Sequence, residues 1–214
     1  MKKWLVSLMI SMVISCNLYS HDEIDDVKLY INLNTCNQVD VTIYSVCWDD
    51  KINMPVAGWT IIDGDVIDYK NIKQRPHFYN STNVPNVLKP TSISLPNHNG
   101  HTFANDGDND YSEESLNATY NMLNITPMHE TTNMGAWRKV ENRGKKLAKE
   151  SGDVLSITLV EYFNKPKYGL TYPKSFIRIY VTEDESECYK VDNLDRKSSD
   201  LKSYKINCKD LVRK

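Results

Sequence analysis

One stretch, residues 97–141, constrains the chain more than any other part of the sequence. Its informative groups follow a set order: Gly100-His101, a helix-like run from Asp110 to Tyr120, an Asn-x-x-Pro turn at 124–127, and then Asn133, Trp137 and Glu141. A spacing of four places the last three along one side of a helix, with a slow drift around it. This arrangement allows one side chain to ligate a cation, the next to pack into the core and the third to hold ordered water.

In this stretch the sequence resembles the DNA/RNA non-specific endonuclease family, whose sites are built on a ββα-metal finger, also called the His-Me finger. The family signature is Asp-Arg-Gly-His, then an Asn-x-x-Pro-Gln turn, then Asn-x-Gly-x-Trp with a Glu four residues after the Trp. The matching segments here are His98-Asn99-Gly100-His101, Asn124-Ile-Thr-Pro127-Met128, and Asn133-Met-Gly135-Ala-Trp137 with Glu141. Several pieces agree in order and spacing, which is more specific than one short motif. The sequence departs from the signature at His98, Asn99 and Met128, which replace Asp, Arg and Gln.

The resemblance implies the roles of a metal-dependent phosphodiesterase site. His101 matches the general base that takes a proton from water. Asn133 matches the ligand of a single divalent cation, expected to be Mg²⁺, with Mn²⁺ or another divalent ion as alternatives. Glu141 matches the acid that organises metal-bound waters. Arg75, in an Arg-x-x-Phe element, matches an arginine that reaches the scissile phosphate, whereas Asn99 takes the place of a phosphate-contacting arginine without its charge.

The resemblance also implies an α+β fold: a central antiparallel sheet, a ββα-metal finger at about 95–150, and helices packed on the sheet. Alternating or β-branched runs predict strands at 40–46, 56–62, 153–163, 175–181 and 188–191. Residues 65–69 are predicted to complete a hairpin after Asp63-Gly64, and residues 204–208 to pair back near Cys188.

Two helices are predicted around the site. Asp110 with Glu113 fits an N-cap followed by an acid, so a helix should begin there and run to about Met122. The next helix should run from about Gly135 to Glu150 and stop at Gly152. Residues 97–106 are expected to form a loop that carries the histidines, and residues 124–132 an extended turn.

The N-terminus predicts export. Two lysines precede an uncharged apolar run from Leu5 to Ser15, which is typical of a secretory signal and too short for a membrane span. Cleavage is expected near Ser20, leaving a single domain at 21–214 that is long enough to bury a core. Val13-Ile14-Ser15-Cys16 also fits a lipoprotein cleavage site, so a lipid anchor at Cys16 remains an alternative. The expected location is periplasmic or secreted, or the outer membrane for the lipoprotein.

Charge and cysteine content agree with an exported enzyme. A net charge of −2 argues against a protein that coats nucleic acid, but not against an enzyme that releases a polyanionic product. A basic cluster follows the Asn133 motif, and it is interpreted either as a solvated helix face or as a surface that contacts the nucleic-acid backbone. Its members are Arg138, Lys139, Arg143, Lys145, Lys146 and Lys149.

Besides Cys16 the chain has four cysteines, Cys36, Cys47, Cys188 and Cys208. In an oxidising compartment they predict two disulfides in one of three connectivities, of which we favour the local pairs 36–47 and 188–208. Zinc is disfavoured because no Cys-x-x-Cys occurs, and because His98 and His101 lack a third ligand with clear spacing.

The leading hypothesis is an exported Mg²⁺-dependent endonuclease that acts on DNA and RNA without strong sequence preference. The alternative is a catalytically weakened member of the same fold, kept as a nucleic-acid or protein binding module of the envelope, which the altered His98-Asn99 pair motivates. A third hypothesis is an envelope lipoprotein whose finger residues match by chance. The oligomeric state is left open.

Overall fold

The computed structural model describes residues 21–213, apart from residues 70, 83, 85, 95 and 195–199. The expected leader at 1–20, its cleavage site and the alternative anchor at Cys16 lie outside the described residues. Within the described part of the chain, no helix is both long and apolar enough to cross a membrane.

The described residues form three α-helices and nine strands. The helices are α1 (His21–Tyr30), α2 (Glu113–Thr119) and α3 (Arg138–Ser151). The strands are β1 (Asn37–Val41), β2 (Tyr44–Asp49), β3 (Met54–Ile62), β4 (Asn97–His101), β5 (Ile125–His129), β6 (Val154–Tyr162), β7 (Pro173–Val181), β8 (Ser186–Asp192) and β9 (Lys205–Ile206). A π-helical turn, Thr132–Trp137, leads directly into α3.

Seven strands form one antiparallel sheet in the order β1-β2-β3-β6-β7-β8-β9, which confirms the predicted central antiparallel sheet and the α+β fold. The central strands β6 and β7 are buried along most of their length. A strand buried on both faces must carry apolar side chains at nearly every position. The long β-branched and aromatic runs at 154–162 and 173–181 therefore become the middle of the sheet.

The two faces of the sheet have separate cores. On β7, Phe176 and Tyr180 pack with Trp137 of the finger side, while Ile177 and Ile179 pack on the opposite face. Successive side chains of a strand point to opposite faces, so one strand serves both cores. The finger and α3 cover the first face, and α1 covers the second.

Both favoured disulfides are present, Cys36–Cys47 and Cys188–Cys208. Cys47 lies on β2 beside the edge strand β1, and Cys188 pairs in register with Ile206 of the edge strand β9. Each disulfide therefore closes one edge of the sheet. All four cysteines outside the leader are paired in these two disulfides, which excludes them as zinc ligands.

Several local predictions differ from the structure. The run at 40–46 is two strands, because the chain turns at residues 42–43 and pairs Val41 with Tyr44. Residues 65–69 form turns instead of a strand. The N-cap of α2 is Ser112, whose hydroxyl accepts from the Ser115 N–H at 3.0 Å, and the helix ends at Thr119 rather than near Met122.

The segments expected to be a histidine-bearing loop and an extended turn contain β4 and β5, which pair with each other as a separate two-stranded ribbon. The predicted strands at 56–62, 153–163, 175–181 and 188–191 are confirmed, as is the pairing of the 204–208 segment near Cys188. Helix α3 stops at Gly152 as predicted, and the φ of 86° at this residue is one that glycine adopts without strain.

Candidate active site

The β4–β5 ribbon and α3 make up a ββα unit. Its register runs from Asn97 opposite His129 to His101 opposite Ile125. Gly100 faces Met128 so closely that an added Cβ would lie 2.6 Å from the Met128 Cβ. Glycine is therefore required for the ribbon to close, and the residue before His101 is held against its partner strand.

Asn124 ties the loop that follows His101 to the end of α2. Its side chain is fully buried and makes four hydrogen bonds with the backbone. The amide oxygen accepts from the Phe103 and Ala104 N–H groups, both at 2.9 Å. The amide nitrogen donates to the carbonyls of Ala104 at 2.7 Å and Thr119 at 2.8 Å. One side chain thus satisfies both donors and both acceptors in a buried stretch of backbone.

Two further buried side chains hold the backbone at His101 itself. The Trp137 indole N–H donates to the His101 carbonyl at 3.0 Å. Arg178, on β7, donates to the carbonyls of Thr102 at 2.9 Å and Phe103 at 3.3 Å. The Arg178 guanidinium also lies 4.7 Å from the centre of the Trp137 ring. Three consecutive carbonyls are therefore fixed by the π-helical turn and the central sheet.

A cleft of about 330 Å³ lies where this loop meets α3. Among the residues that line it are His101, Asn105, Asp106, Asn133, Arg138 and Glu141. Three of the five predicted site residues therefore share one cleft. The finger brings His101 in from the ribbon, while the π-helical turn and the first turn of α3 bring Asn133 and Glu141.

The His101 ring is held between aromatic side chains. Tyr120 meets it edge-on with ring centres 4.9 Å apart, and Phe78 lies 5.7 Å away. Its Nε2 is buried and makes no hydrogen bond to any described residue. Burial lowers the pKa of His101, Arg75 lowers it further and Asp106 opposes the shift. The imidazole is therefore neutral at pH 7, the state that a general base needs.

Two acids near the cleft have raised pKa values. Burial raises the pKa of Glu141 to about 8, with Asp108 and Asp106 adding to the shift, and Arg178 and Arg138 opposing it. Burial likewise raises the pKa of Asp108 to about 7. A positive charge bound near these acids would favour the ionised form of both carboxyl groups.

His98, which replaces the aspartate of the family signature, contacts Asn133. The His98 Nδ1 lies 3.4 Å from the Asn133 amide nitrogen, and the His98 Nε2 lies 3.7 Å from a Glu130 carboxylate oxygen. This geometry suits an amide N–H that donates to Nδ1 while the proton on Nε2 faces the acid. The amide oxygen of Asn133 is then the atom left to bind a cation.

Arg75 and Asn99 are not among the described residues that line the cleft. Arg75 makes ion pairs with Asp106 at 3.3 Å and Asp110 at 3.2 Å, so it stands behind the cleft wall and borders a separate cavity of about 590 Å³. The Asn99 amide donates to the Pro90 carbonyl at 3.4 Å, and its buried oxygen finds no partner among the described residues.

Three of the six cations of the basic cluster form ion pairs with acids. Arg143 bonds Glu187 at 2.8 Å, Lys149 bonds Asp68 at 2.5 Å, and Lys146 lies 3.5 Å from Glu150. Arg138 lines the cleft, and Lys145 donates at 3.3 Å to the carbonyl of Gly107, which is another lining residue.

The residues that position the site were mostly missed from the sequence. The sequence predicts Asn124 in a turn and Asp106 in a loop. Neither a turn nor a loop pattern indicates that a side chain is buried or that it lines a cleft. Arg178 had a usable signal. Arg178 lies on the same face of an apolar strand as Phe176 and Tyr180, two residues from each. A charged residue at such a core position needs buried polar partners.

Comparisons with known proteins bear on the fold and on the family of the chain. A search of curated protein sequences finds no match. Among solved structures, the chain is similar to a chain in the crystal structure of the EndoG/EndoGI complex, a study of the mechanism of EndoG inhibition. The TM-score is 0.73 at 14% sequence identity, over 88% of this chain and 87% of the other, which shows a shared fold. The family model for DNA/RNA non-specific endonucleases matches residues 28–214, and the chain therefore belongs to the DNA/RNA non-specific endonuclease family.

Proposed function

We propose that the chain is an exported, Mg²⁺-dependent endonuclease that hydrolyses phosphodiester bonds of DNA and RNA. In this proposal His101 is the general base and Asn133 the metal ligand. The observation that carries it is the shared cleft: His101, Asn133 and Glu141 line one cavity in a chain of the endonuclease family.

The donors in the cleft suit a hard divalent cation. They are the Asn133 amide oxygen and the carboxylates of Glu141 and Asp106, and Mg²⁺ prefers oxygen ligands. The described residues contain no cluster of three or more His, Cys, Asp or Glu side chains that could enclose an ion. Few protein ligands fit an ion that keeps most of its waters and binds substrate phosphate. When bound, the cation would stabilise charge on the phosphate and on the leaving oxygen.

The residues of the chain have separate tasks in this mechanism. His101 removes a proton from the attacking water, and its backbone bond to Trp137 with the Tyr120 contact holds the ring in place. Glu141 orients water in the cleft. Arg138 contacts the phosphate. Arg75 and Asn99 remain proposed phosphate contacts, and Arg75 would exchange Asp106 for the substrate to reach it.

The test is cleavage of plasmid DNA and of RNA by the purified full chain, with Mg²⁺ or with EDTA. We expect degradation of both substrates in Mg²⁺ and none in EDTA. His101→Ala should lower the rate at least about 100-fold, because general-base catalysis contributes about 10²- to 10⁴-fold.

The matched control is His77→Ala, because His77 is an exposed histidine outside this cleft. It should cleave at the wild-type rate. Equal rates for His101→Ala and the wild type would refute His101 as the base, and cleavage that persists in EDTA would refute the metal requirement.

Export is the second part of the proposal, with residues 1–20 as the leader and 21–214 as the mature domain. The two disulfides support it, since such bonds persist in oxidising compartments. Intact mass spectrometry of the protein from a bacterial periplasm should show an N-terminus near residue 21. A mass that corresponds to a diacylated Cys16 would assign the lipid anchor instead, and an uncleaved chain would refute export by this leader.

A second candidate function is a weakened nuclease that binds nucleic acid or protein in the envelope. It is favoured by Asn99, which brings no charge, and by Arg75, which is paired with two aspartates. DNA that is retarded on a gel but left intact in Mg²⁺ would support this candidate over the enzyme.

A further inference from the structure

The hairpin that joins β6 to β7 ends in a group of aromatic side chains, which we call the aromatic tip: Phe163, Tyr168 and Tyr172 with Lys167. Phe163 is 36% exposed and Tyr168 is 53% exposed. The Lys167 ammonium lies 5.0 Å from the ring centres of both tyrosines and 5.5 Å from that of Phe163. Tyr172 itself is buried, so Phe163 and Tyr168 are the rings that solvent reaches. Two neighbouring exposed rings beside a lysine form a surface patch of the kind that marks a binding site.

The turn at the aromatic tip carries a tyrosine where its backbone is strained. Lys167 and Leu170 exchange two backbone hydrogen bonds of 3.0 Å, so residues 168 and 169 form a two-residue turn. Tyr168 has φ of 54° and Gly169 has φ of 73°. A turn with both central residues at positive φ strongly prefers Asn-Gly, and a bulky residue at the first of these positions is strained. The chain accepts this strain and places a ring at the very end of the hairpin.

The charge around the tip favours a polyanion. Residues 162–174 include Lys165, Lys167 and Lys174 and contain no Asp or Glu. The nearest preceding acid, Glu161, forms an ion pair with Lys190 at 2.8 Å. Exposed rings that alternate with lysines are the surface that unpaired nucleic acid recognises, because bases stack on rings while cations follow the backbone.

The tip is connected to the finger that carries the candidate active site. The Tyr172 hydroxyl donates to the Asn97 side-chain oxygen at 2.6 Å, at the start of β4. The next residue, His98, is the one that contacts Asn133 in the cleft. A strand bound at the tip would therefore be held on the same ribbon that supports the cleft.

We infer that the aromatic tip is a stacking platform for unpaired nucleobases, which holds a single strand of nucleic acid beside the cleft. The inference rests on the proposed function, since it adds a strand-binding subsite to the nuclease. Tyr168 and Phe163 stack with bases, and Lys165 and Lys167 contact phosphates. Duplex gains less from the tip because its bases are already stacked on one another.

The test uses Tyr168→Asn in the full chain, with fluorescent oligothymidylate as the probe and fluorescence anisotropy in EDTA, so that no cleavage occurs. Because Asn-Gly is the preferred pair for this turn, the variant should unfold at the same or a higher urea concentration than the wild type. We expect its Kd for oligothymidylate to rise at least about fivefold, since one stacked base contributes about 1–3 kcal/mol. Binding of blunt duplex DNA should change less than twofold.

The matched control is Tyr69→Asn, since the Tyr69 side chain is 80% exposed and is not part of the aromatic tip. It should bind oligothymidylate like the wild type. Unchanged binding by Tyr168→Asn, equal weakening of single-strand and duplex binding, or a loss of stability in that variant would each overturn the platform. Binding in EDTA is independent of cleavage. A wild-type chain that binds through Tyr168 but cuts nothing in Mg²⁺ would therefore refute the proposed function alone.

Discussion

The hydrogen bonds of Asn124 allow its replacement to be predicted in magnitude and in pH dependence. Asn124→Ala removes four bonds of 2.7–2.9 Å and leaves two N–H groups and two carbonyls of buried backbone without partners. A neutral hydrogen bond contributes about 1 kcal/mol net, so the loss should be about 4 kcal/mol. Since domains are stable by about 5–15 kcal/mol, the variant should be folded but much weakened.

Asn124→Asp tests the effect of the hydrogen bonds alone, because the side chain keeps nearly the same size. The introduced carboxyl keeps the two acceptor bonds but faces the Ala104 and Thr119 carbonyls with oxygen in place of nitrogen. Those carbonyls and burial favour the protonated form, so the folded-state pKa of the new carboxyl rises above the ordinary value of about 3.9. The folded state then binds the proton more tightly than the unfolded state does. Stability relative to Asn124→Ala should increase as the pH falls through that folded-state pKa.

Equilibrium urea unfolding followed by tryptophan fluorescence, from pH 8 to pH 5, measures both effects. Asn207→Ala is the control, because Asn207 is exposed and its side chain accepts one bond, from the Lys209 N–H at 3.1 Å. It should lose less than about 1 kcal/mol. A loss below about 1 kcal/mol in Asn124→Ala, or a constant difference between the Asp and Ala variants across that pH range, would refute the assigned role.

Four other changes have expected outcomes. Gly144→Ala should destabilise the fold by about 1–3 kcal/mol in urea unfolding, although alanine normally stabilises a helix, because the added Cβ would lie 2.6 Å from the Tyr180 ring. Trp137→Phe loses the bond to the His101 carbonyl, so kcat should fall while the Mg²⁺ concentration for half-maximal activity stays constant. The Glu141 carboxyl has a pKa of about 8, so it gains negative charge as the pH rises from 6 towards 8. The Mg²⁺ concentration for half-maximal activity should therefore fall over this range. In the same titration, Glu141→Gln should show no such pH dependence. Reduction of either disulfide should cost about 3 kcal/mol, measured by urea unfolding of Cys36→Ser/Cys47→Ser and Cys188→Ser/Cys208→Ser.

The central sheet could be predicted because its strands carry local signals. The runs at 154–162 and 173–181 are apolar at nearly every position, which is the pattern of strands buried on both faces. The turn at 42–43 could not be predicted, because Thr-Ile carries no turn signal and interrupts an alternating run. At Asp63-Gly64, by contrast, a turn signal predicts a hairpin that the structure does not contain. A Cβ on Gly64 would overlap the backbone of α3, so this glycine allows close packing and does not form a hairpin.

Three of the five predicted site residues lie in one cleft, whereas Arg75 and Asn99 do not line it, and the residues that support the cleft were not predicted. The spacing of Asn133 and Glu141 placed them in one cleft with His101, since a helix converts spacing directly into direction. Strand β4 was assigned to a loop, because His-Asn-Gly-His has no strand propensity and becomes a strand only through its pairing with β5. Partners distant in sequence also explain why Arg178 and Asn124 were missed, since their hydrogen bonds join segments that local patterns do not connect.

The placement of the two disulfides has a consequence for the cell that makes the protein. The disulfides lie at the two opposite edges of the same sheet. Together they contribute about 6 kcal/mol to the free energy of unfolding, which is a large share of the stability of an ordinary domain. In a reducing cytosol the newly made chain would lack both. If the chain is exported as proposed, it is least stable in the compartment that holds the chromosome and messenger RNA, and it reaches full stability only after its disulfides form outside the cytosol.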